Sequence, residues 1–283
     1  MSRIILGSFE ITLVRSGIYH WDAGAVFGVV PKTLWNRKTP VDELNRVPMA
    51  FNSYIVRTGD ETVLIETGGG AKMDDVARER MNLPATVPSL PEAIAAAGID
   101  PESIDIVINS HLHWDHCGWN TIQRNGGVEP AFPRARYFVR RGEWEHAHLR
   151  HPRDGVAYLD ANYDPLVDAG RMTLVAGDHF EAAPGIEMHL APGHNRDLMI
   201  VTARSGHETF CFLSDMAPLE AHLAPTWVAG FDLYPLEHID TKLHWLERAA
   251  RENWICGFAH DPRVAFARVR PVKDRYEATE AQT

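Results

Sequence analysis

Residues 110–116 concentrate side chains that are well suited to binding metal ions. The segment reads Ser-His-Leu-His-Trp-Asp-His and contains His111, His113, Asp115 and His116. The first three of these alternate along the chain, so an extended backbone would point them to the same side. Imidazole nitrogens and carboxylate oxygens are zinc ligands, and this spacing is typical of a metal site. The chain has 15 histidines in total, which favours metal chemistry because histidine is the commonest metal ligand.

Three further candidate ligands follow predicted strands or turns downstream. His194 comes after the turn Leu-Ala-Pro-Gly at 190–193, Asp215 after an apolar strand at 211–214, and His260 after a strand at 255–259. The 110–116 segment itself follows a run at 104–109 with the length of a buried strand. Sites in α/β proteins lie at the carboxyl ends of such strands. The set of five histidines and two aspartates is enough for two ions if one carboxylate bridges them.

The elements that position these residues are strands with interspersed helices. We predict helices over 90–97, where Ser89 and Glu92 form a capping box, and over 141–150 and 238–251. We predict strands over 3–14, 51–57, 62–66, 104–109, 136–139, 171–175, 186–190, 198–202, 209–213 and 254–258. This pattern predicts layered sheets covered by helices.

Two segments lack a clean periodicity. The sequence at 20–50 predicts a long irregular segment that caps the metal cleft. Its side chains Trp21, Phe27, Val29 and Trp35 would form an apolar wall of that cleft. Packing of these side chains on the sheet, away from any ligand, is the alternative. Residues 270–283 are polar and predict a partly frayed tail. At 283 residues, the chain is expected to form a single domain over 1–283.

Composition and charge exclude several function classes. The formal net charge is −10 and no basic block is present, which argues against nucleic acid or an anionic membrane surface as a partner. No apolar run is long enough for a membrane span. The three cysteines are far apart and odd in number, so they predict neither a disulfide framework nor a cysteine zinc site. A reducing, cytoplasmic location is therefore expected.

On these residues the sequence resembles the metallo-β-lactamase superfamily. The resemblance spans residues 1–265 and rests on the hexapeptide His-Leu-His-Trp-Asp-His at 111–116, followed in the expected order by His194, Asp215 and His260. Residues 66–68, Glu-Thr-Gly, are similar to the family's Asp-Thr-Gly turn, with Glu in place of Asp. The resemblance implies an α/β fold, a four-layer αββα sandwich with metals bound between the edges of its two sheets.

The resemblance also implies a division of the ligands and a cofactor. His111, His113 and His194 would hold one metal, Asp115, His116 and His260 the other, and Asp215 would bridge them. Asp115 would in addition carry a proton to the leaving group. Two divalent ions are implied. Affinity order favours Zn²⁺ over Mn²⁺ or Fe²⁺, although metal availability decides in the cell.

The implied reaction is metal-assisted hydrolysis of a small molecule. The chain is most similar to the N-acyl homoserine lactonase and esterase branch, which implies a small ester, in particular a lactone, as the substrate. Lactonases of this branch often carry a tyrosine shortly after the bridging aspartate, but Met-Ala-Pro follows Asp215 here. Tyr234 is the candidate for an equivalent catalytic hydroxyl, with a packed core tyrosine as the alternative.

Other activities of the same fold remain open at the level of sequence. These are hydrolysis of phosphotriesters or aryl esters and a mononuclear iron persulfide dioxygenase. A nuclease is disfavoured by the acidic balance of the chain. The oligomeric state is also open, and a homodimer is one arrangement.

Overall fold

Two seven-stranded sheets form the framework of the computed structural model, which describes residues 2–84, 88–124, 126–273 and 275–281. The strands are β1 (Ser2–Leu6), β2 (Phe9–Asp22), β3 (Arg46–Arg57), β4 (Thr62–Ile65), β5 (Ile106–Ile108), β6 (Thr121–Arg124), β7 (Gly127–Pro130), β8 (Arg136–Arg140), β9 (Met172–Val175), β10 (His179–Ala183), β11 (Ile186–Leu190), β12 (Met199–Ser205), β13 (Glu208–Phe212), β14 (Ile255–Gly257), β15 (Ala267–Val272) and β16 (Arg275–Glu280). The α-helices are α1 (Ala23–Phe27), α2 (Lys32–Trp35), α3 (Asp75–Arg80), α4 (Leu90–Ala96), α5 (Trp114–Cys117), α6 (Arg141–Leu149), α7 (Asp164–Asp168) and α8 (Pro235–Arg251).

Each sheet contains parallel strands, and loops with predicted metal ligands follow their carboxyl ends. The first sheet has the order β1-β2-β3-β4-β5-β8-β9, in which β4, β5, β8 and β9 are parallel. The second sheet has the order β10-β11-β12-β13-β14-β15-β16, in which β13 and β14 are parallel. Loops that leave these strands therefore emerge at common sheet edges.

The predicted four-layer αββα sandwich is confirmed by the way the apolar side chains pack. Ile108 of the first sheet and Phe210 of the second belong to one core between the sheets. Val107 points to the opposite face of its strand and packs in a second core with Ile94 of α4. Leu246 of α8 covers the outer face of the second sheet. The apolar run at 104–109 is thus a strand buried on both faces.

The helices and strands predicted from the sequence are present, with bounds that differ by a few residues. The exception is the predicted strand over 3–14, which is a hairpin of β1 and β2. Its turn contains Gly7, whose φ of +60° is in the left-handed region that glycine tolerates. The capping box of Ser89 and Glu92 opens α4 as expected.

The irregular segment predicted over 20–50 is wrong at both of its ends. β2 continues to Asp22 and β3 begins at Arg46, and these two residues are partners in the antiparallel register. A register shift between Arg15 and Ile18 interrupts the alternation of apolar and polar residues in β2. The second half of this strand therefore lacks the period of two by which a strand is recognised in a sequence. Helices α1 and α2 lie between the strands.

The described part of the predicted tail is also ordered. β15 and β16 form an antiparallel hairpin in which Val272 pairs with Arg275, and Ala281 is buried. The pairing supplies the backbone hydrogen bonds that a polar tail would otherwise make with water. Residues 274, 282 and 283 of that tail lie outside the described residues. Among the described helices, none combines the length and the apolar character that crossing a bilayer requires.

Candidate metal centre

The seven residues predicted as ligands converge where the two sheets meet. The loop after β5 carries four of them, and the loops after β11, β13 and β14 carry one each. Within this set, three groups of three ligand atoms lie within 4.8 Å of one another: His111, His113 and His194; His111, His116 and Asp215; Asp115, His116 and His260.

The first group consists of three imidazoles that face one another. Nδ1 of His113 lies 3.1 Å from Nε2 of His111 and 3.0 Å from Nε2 of His194. His111 and His194 are buried from solvent, and His113 is partly buried. One ring nitrogen thus has two others at hydrogen-bond distance, an arrangement that suits a shared cation.

The second group has two imidazoles and a carboxylate. Nε2 of His116 and Nε2 of His260 are 3.1 Å apart. Oδ2 of Asp115 lies 3.6 Å from Nε2 of His260, and its Oδ1 lies 3.9 Å from Nε2 of His116. Asp115 is less buried than the histidines, so its carboxylate faces the open side of the centre.

Asp215 lies between the two groups. Its Oδ2 is 3.5 Å from Nε2 of His194 and 3.4 Å from Nε2 of His116, while its Oδ1 is 3.2 Å from Nε2 of His260. One carboxylate therefore reaches both groups, as a bridging ligand must.

The outward nitrogens of three histidines are held by neighbouring acceptors. Nδ1 of His194 donates to Oδ1 of Asp232 at 2.8 Å, and Nδ1 of His260 donates to the carbonyl of Ala50 at 2.9 Å. Nδ1 of His116 lies 3.5 Å from Oε2 of Glu66. The two hydrogen bonds favour the tautomer of His194 and His260 that presents a lone pair at Nε2, as partners of metal-bound histidines do.

The donor set fits metal cations. Oδ1 of Asp215 is buried and has no hydrogen-bond partner among the described residues. Burial and the neighbouring imidazoles hold the pKa of His111 and His113 well below the usual range, so both rings are neutral. Burial would raise the pKa of Asp215, but the nearby histidines hold it well below its usual value. Burial would lower the pKa of His116 and His194, but the nearby Asp215 carboxylate raises it above the usual value in both. The centre thus combines two neutral imidazoles, two imidazoles that favour a proton and an ionised carboxylate, and a metal cation could take the place of those protons.

Hydrogen bonds connect the loops of the two sheets beneath the metal centre, and two of the residues in these loops have a positive φ. Glu66 has a φ of +65° and its Oε1 accepts a hydrogen bond from the amide of Ser110 at 2.9 Å. The hydroxyls of Ser110 and Ser214 are 2.6 Å apart. Ser214, which precedes Asp215, also has a positive φ of +49°. Such strained positions persist where surrounding contacts determine the backbone.

A pocket of about 410 Å³ opens over the centre. His113, Asp115, His194, Asp215 and His260 form its floor. Its walls are largely apolar and include Tyr19, Trp21, Met49, Met81, Trp114 and Phe231.

The predicted apolar wall from residues 20–50 is present in part. Trp21 lines the pocket. Phe27 and Trp35 instead stack on each other, with ring centroids 4.8 Å apart, in the core that backs the pocket-lining residues Tyr19, Met49 and Trp114. Val29 is 93% exposed. The difference arises because the segment folds into α1 and α2, which bury their own aromatic residues.

Tyr234, the predicted catalytic tyrosine, and Tyr19 occupy different environments. Tyr234 precedes α8, and the guanidinium of Arg196 lies 4.8 Å from the centre of its ring. It is not among the residues that line the pocket in the described chain. Tyr19 does line the pocket, and its hydroxyl donates to Oδ2 of Asp115 at 3.0 Å. The catalytic role of Tyr234 stays a prediction, and its position lends that role no support.

Two residues near the centre were not identified from the sequence. Tyr19 lies in the half of β2 that the register shift conceals. Asp232 is 38 positions from His194, which it contacts, and it also accepts a hydrogen bond from Nδ1 of His238 at 2.8 Å. Neither residue has a spacing signature. Asp232 is the one charged residue in the otherwise apolar segment 228–233, and this was the signal in the sequence that could have marked it as a functional residue.

Comparison with known families is consistent with this geometry. The model of the metallo-beta-lactamase superfamily matches residues 47–211. This chain therefore belongs to the metallo-β-lactamase superfamily.

Curated relatives include N-acyl homoserine lactonases. The chain is 27% identical to that of Bacillus cereus over 169 residues, which is 54% of this chain and 59% of the relative. It is 29% identical to N-acyl homoserine lactonase AiiB of Agrobacterium fabrum over 100 residues, which is 32% of this chain and 36% of the relative. The chain thus spans less than two thirds of the length of these curated relatives.

Solved structures match over nearly the whole chain. A "probable metal-dependent hydrolase" from Staphylococcus aureus is 26% identical, with a TM-score of 0.86 over 99% of this chain and all of the other. The dizinc quorum-quenching lactonase AidC is 19% identical, with a TM-score of 0.81 over 100% of this chain and 97% of the other. At that identity the second match shows the fold alone.

Proposed function

We propose that this protein is a metal-dependent hydrolase that opens a small ester, in particular a lactone, at a pair of divalent ions. The observation that carries the proposal is the position of Asp215 between two groups of converging ligands, with distances of 3.2–3.5 Å on both sides. Similarity to N-acyl homoserine lactonases supports the lactone as substrate.

The proposed ligands divide as the resemblance implies. Zn²⁺ suits the mixture of imidazole and carboxylate donors, and Mn²⁺ or Fe²⁺ could replace it where these metals are more available. When bound, such a pair of ions supplies a water of lowered pKa and polarises the carbonyl oxygen of the substrate. The first ion would be held by His111, His113 and His194, the second by Asp115, His116 and His260, and both by Asp215.

The chain's own residues would handle the proton and orient the site. Hydrolysis of a lactone forms a bond between a water oxygen and the carbonyl carbon and breaks the ring C–O bond, so a proton from that water must reach the departing alkoxide oxygen. Asp115 lines the pocket and is positioned to transfer that proton. The Tyr19 hydroxyl donates to Asp115, which fixes the direction of its carboxylate. Asp232 orients His194 through the hydrogen bond to its Nδ1.

The pocket suits a small substrate with an apolar substituent. Its volume of about 410 Å³ accommodates a lactone ring and a short acyl or aryl group. Trp21, Met49 and Phe231 provide apolar surface beside the metal ligands. Exclusion of water by these walls strengthens the electrostatic interactions at the reacting carbonyl.

The test is a substrate panel assayed on metal-loaded protein, with the metal counted on the same sample. We expect kcat/KM to be highest for lactones, two ions per chain, and loss of activity on chelation that is reversed by adding metal back. Activity that survives complete metal removal would contradict the proposal. So would a single iron per chain with oxygen consumption, or a preference for phosphotriesters or aryl esters over lactones.

A further inference from the structure

A second group of possible ligands lies at the edge of the second sheet. His179 on β10 and His189 on β11 are directly opposite each other in the antiparallel register. Glu187 is two residues before His189 and therefore projects from the same face of the sheet. We call these three residues the edge cluster.

The ligand atoms of the edge cluster have separations that suit metal coordination. Oε2 of Glu187 lies 3.2 Å from Nε2 of His179 and 3.2 Å from Nε2 of His189. All three atoms lie within 4.8 Å of one another. Ligands about 2.0–2.1 Å from a tetrahedral zinc ion are separated from each other by about 3.3–3.4 Å. The observed distances match that geometry closely.

The chemical state of the edge cluster also favours a cation. Burial lowers the pKa of His189 to about 4, so its ring is neutral near pH 7 and can offer a lone pair. Nε2 of His189 is also 2.9 Å from the hydroxyl of Thr202, which can either accept from it or donate to it. The side chains of His179 and Glu187 are 55% and 39% exposed. Solvent can therefore reach the cluster and complete the coordination.

The edge cluster is separate from the candidate metal centre. Met188 points into the core between the sheets, so its neighbours Glu187 and His189 point to the outer face of the second sheet. There the ring of His189 packs against Trp245 of α8, with centroids 5.2 Å apart. The pocket over the metal centre has no lining residue from the edge cluster.

A third group, His148, Asp160 and Asp164, is less suited to an ion. Asp160 is already paired with Arg150 and accepts a hydrogen bond from the hydroxyl of Tyr163. A metal ion there would have to displace a guanidinium. No arginine or lysine is paired with Glu187 within the described chain, so its carboxylate is open to a cation.

We propose that His179, Glu187 and His189 bind one divalent transition-metal ion, such as Zn²⁺, in addition to any ions at the metal centre. Two imidazoles, one carboxylate and water form a set of ligands that zinc uses in proteins. Because the ligands come from two neighbouring strands, the ion links the edge strand β10 to β11. Ion binding should therefore stabilise the folded state by mass action.

The test compares the wild-type protein with two variants that each lose one exposed histidine. His179→Asn removes a proposed ligand, whereas His207→Asn removes an exposed histidine from the turn between β12 and β13. Each protein is dialysed against increasing Zn²⁺, and bound zinc is counted by mass spectrometry. Thermal unfolding is then measured across the same concentrations, and unfolding without added metal verifies that each variant is folded.

We expect the wild-type protein and His207→Asn to bind one more equivalent of zinc than His179→Asn. A zinc-dependent rise in the unfolding temperature, beyond the concentration that saturates the metal centre, should also be absent from His179→Asn. Loss of one ligand should weaken this site at least tenfold, since even second-shell changes weaken metal affinity by about 10–100-fold. Equal zinc binding and equal thermal shifts in all three proteins would overturn the proposal, whatever substrate the enzyme hydrolyses.

Discussion

The candidate metal centre and the edge cluster show two ways in which a β-sheet protein brings metal ligands together. The edge cluster needs one pair of neighbouring strands in the correct register. The metal centre needs loops from both sheets, and its ligands span positions 111 to 260 of the chain. The first arrangement is local and open to solvent, whereas the second is long-range and buried.

The two sites also differ in what holds their ligands in place. At the metal centre, Asp232, the Ala50 carbonyl and Glu66 contact the outward nitrogens of three histidines. At the edge cluster, the described polar support is the Thr202 hydroxyl, which contacts the same nitrogen that would bind the ion. We therefore expect the metal centre to bind ions more tightly and exchange them more slowly, because second-shell contacts preorganise ligands.

The largest effect should follow from removing the carboxylate shared by both groups of the metal centre. We expect Asp215→Ala to lower kcat/KM by more than about 100-fold, the upper range for loss of a second-shell partner, and to reduce the number of bound ions. The control is Asp178→Ala, because the Asp178 side chain is 80% exposed. Kinetics and metal counts on both proteins provide the measurement. Wild-type activity in Asp215→Ala would remove the basis for a bridged pair of ions.

A smaller effect should follow from changing the residue that supports His194. Asp232 accepts hydrogen bonds from Nδ1 of both His194 and His238, and an asparagine cannot accept equally on both sides. We expect Asp232→Asn to weaken metal affinity by about 10–100-fold, with much of the activity recovered at high metal concentration. Asp240→Asn, at an exposed position on α8, is the matched control. A purely structural role for Asp232 would lower stability without this metal-dependent recovery.

The two tyrosines provide the next comparison. Tyr19→Phe removes a hydrogen bond to the Asp115 carboxylate, worth about 1.5–3 kcal/mol for a charged acceptor. We expect kcat to fall by about 10–100-fold, with little change in KM and in bound metal. Tyr234→Phe is the matched variant and should have the smaller effect, because Tyr234 does not line the pocket. The reverse order would restore Tyr234 as the catalytic hydroxyl.

The sequence was informative where the signal was local. Alternating ligands at 111–115 follow a strand whose residues are all apolar, so both the element and its carboxyl-terminal position could be predicted. His194, Asp215 and His260 also follow predicted strands. Their meeting point was implied by the resemblance to the metallo-β-lactamase superfamily, because β5 lies in one sheet and β11, β13 and β14 lie in the other.

The residues that were missed depend on contacts between distant parts of the chain. Tyr19 follows the register shift in β2, and its direction is set by pairing with β3 rather than by a pattern within its own segment. Asp232 lies in an irregular loop that passes beneath His194. The β15–β16 hairpin contains polar residues, and pairing between strands orders it. Local periodicity carries no information about such contacts.

His222 lies outside the metal centre and the edge cluster, and its burial makes the stability of the fold depend on pH. His222 is buried, its ring stacks on Phe27 with centroids 5.2 Å apart, and its Nε2 donates to the carbonyl of Val26 at 2.9 Å. Burial lowers the pKa of His222 to about 3. The unfolded chain binds a proton here below about pH 6.5, whereas the folded protein does not until about pH 3. This contribution to stability is therefore complete above pH 6.5 and is lost as the pH falls below it.

We expect the metal-free wild-type protein to lose roughly 1 kcal/mol of unfolding free energy from this source between pH 7 and pH 5.5. His222→Gln keeps a side-chain donor for the Val26 carbonyl but cannot titrate, so its unfolding free energy should fall less over the same interval. Urea denaturation at the two pH values measures the difference, and His207→Gln controls for loss of an exposed histidine. Equal pH dependence in the wild type and His222→Gln would mean that the folded protein accepts the proton at His222. The proton would then be taken up at Nδ1 of His222, which is buried without a hydrogen-bond partner among the described residues, while Nε2 would still donate to the Val26 carbonyl.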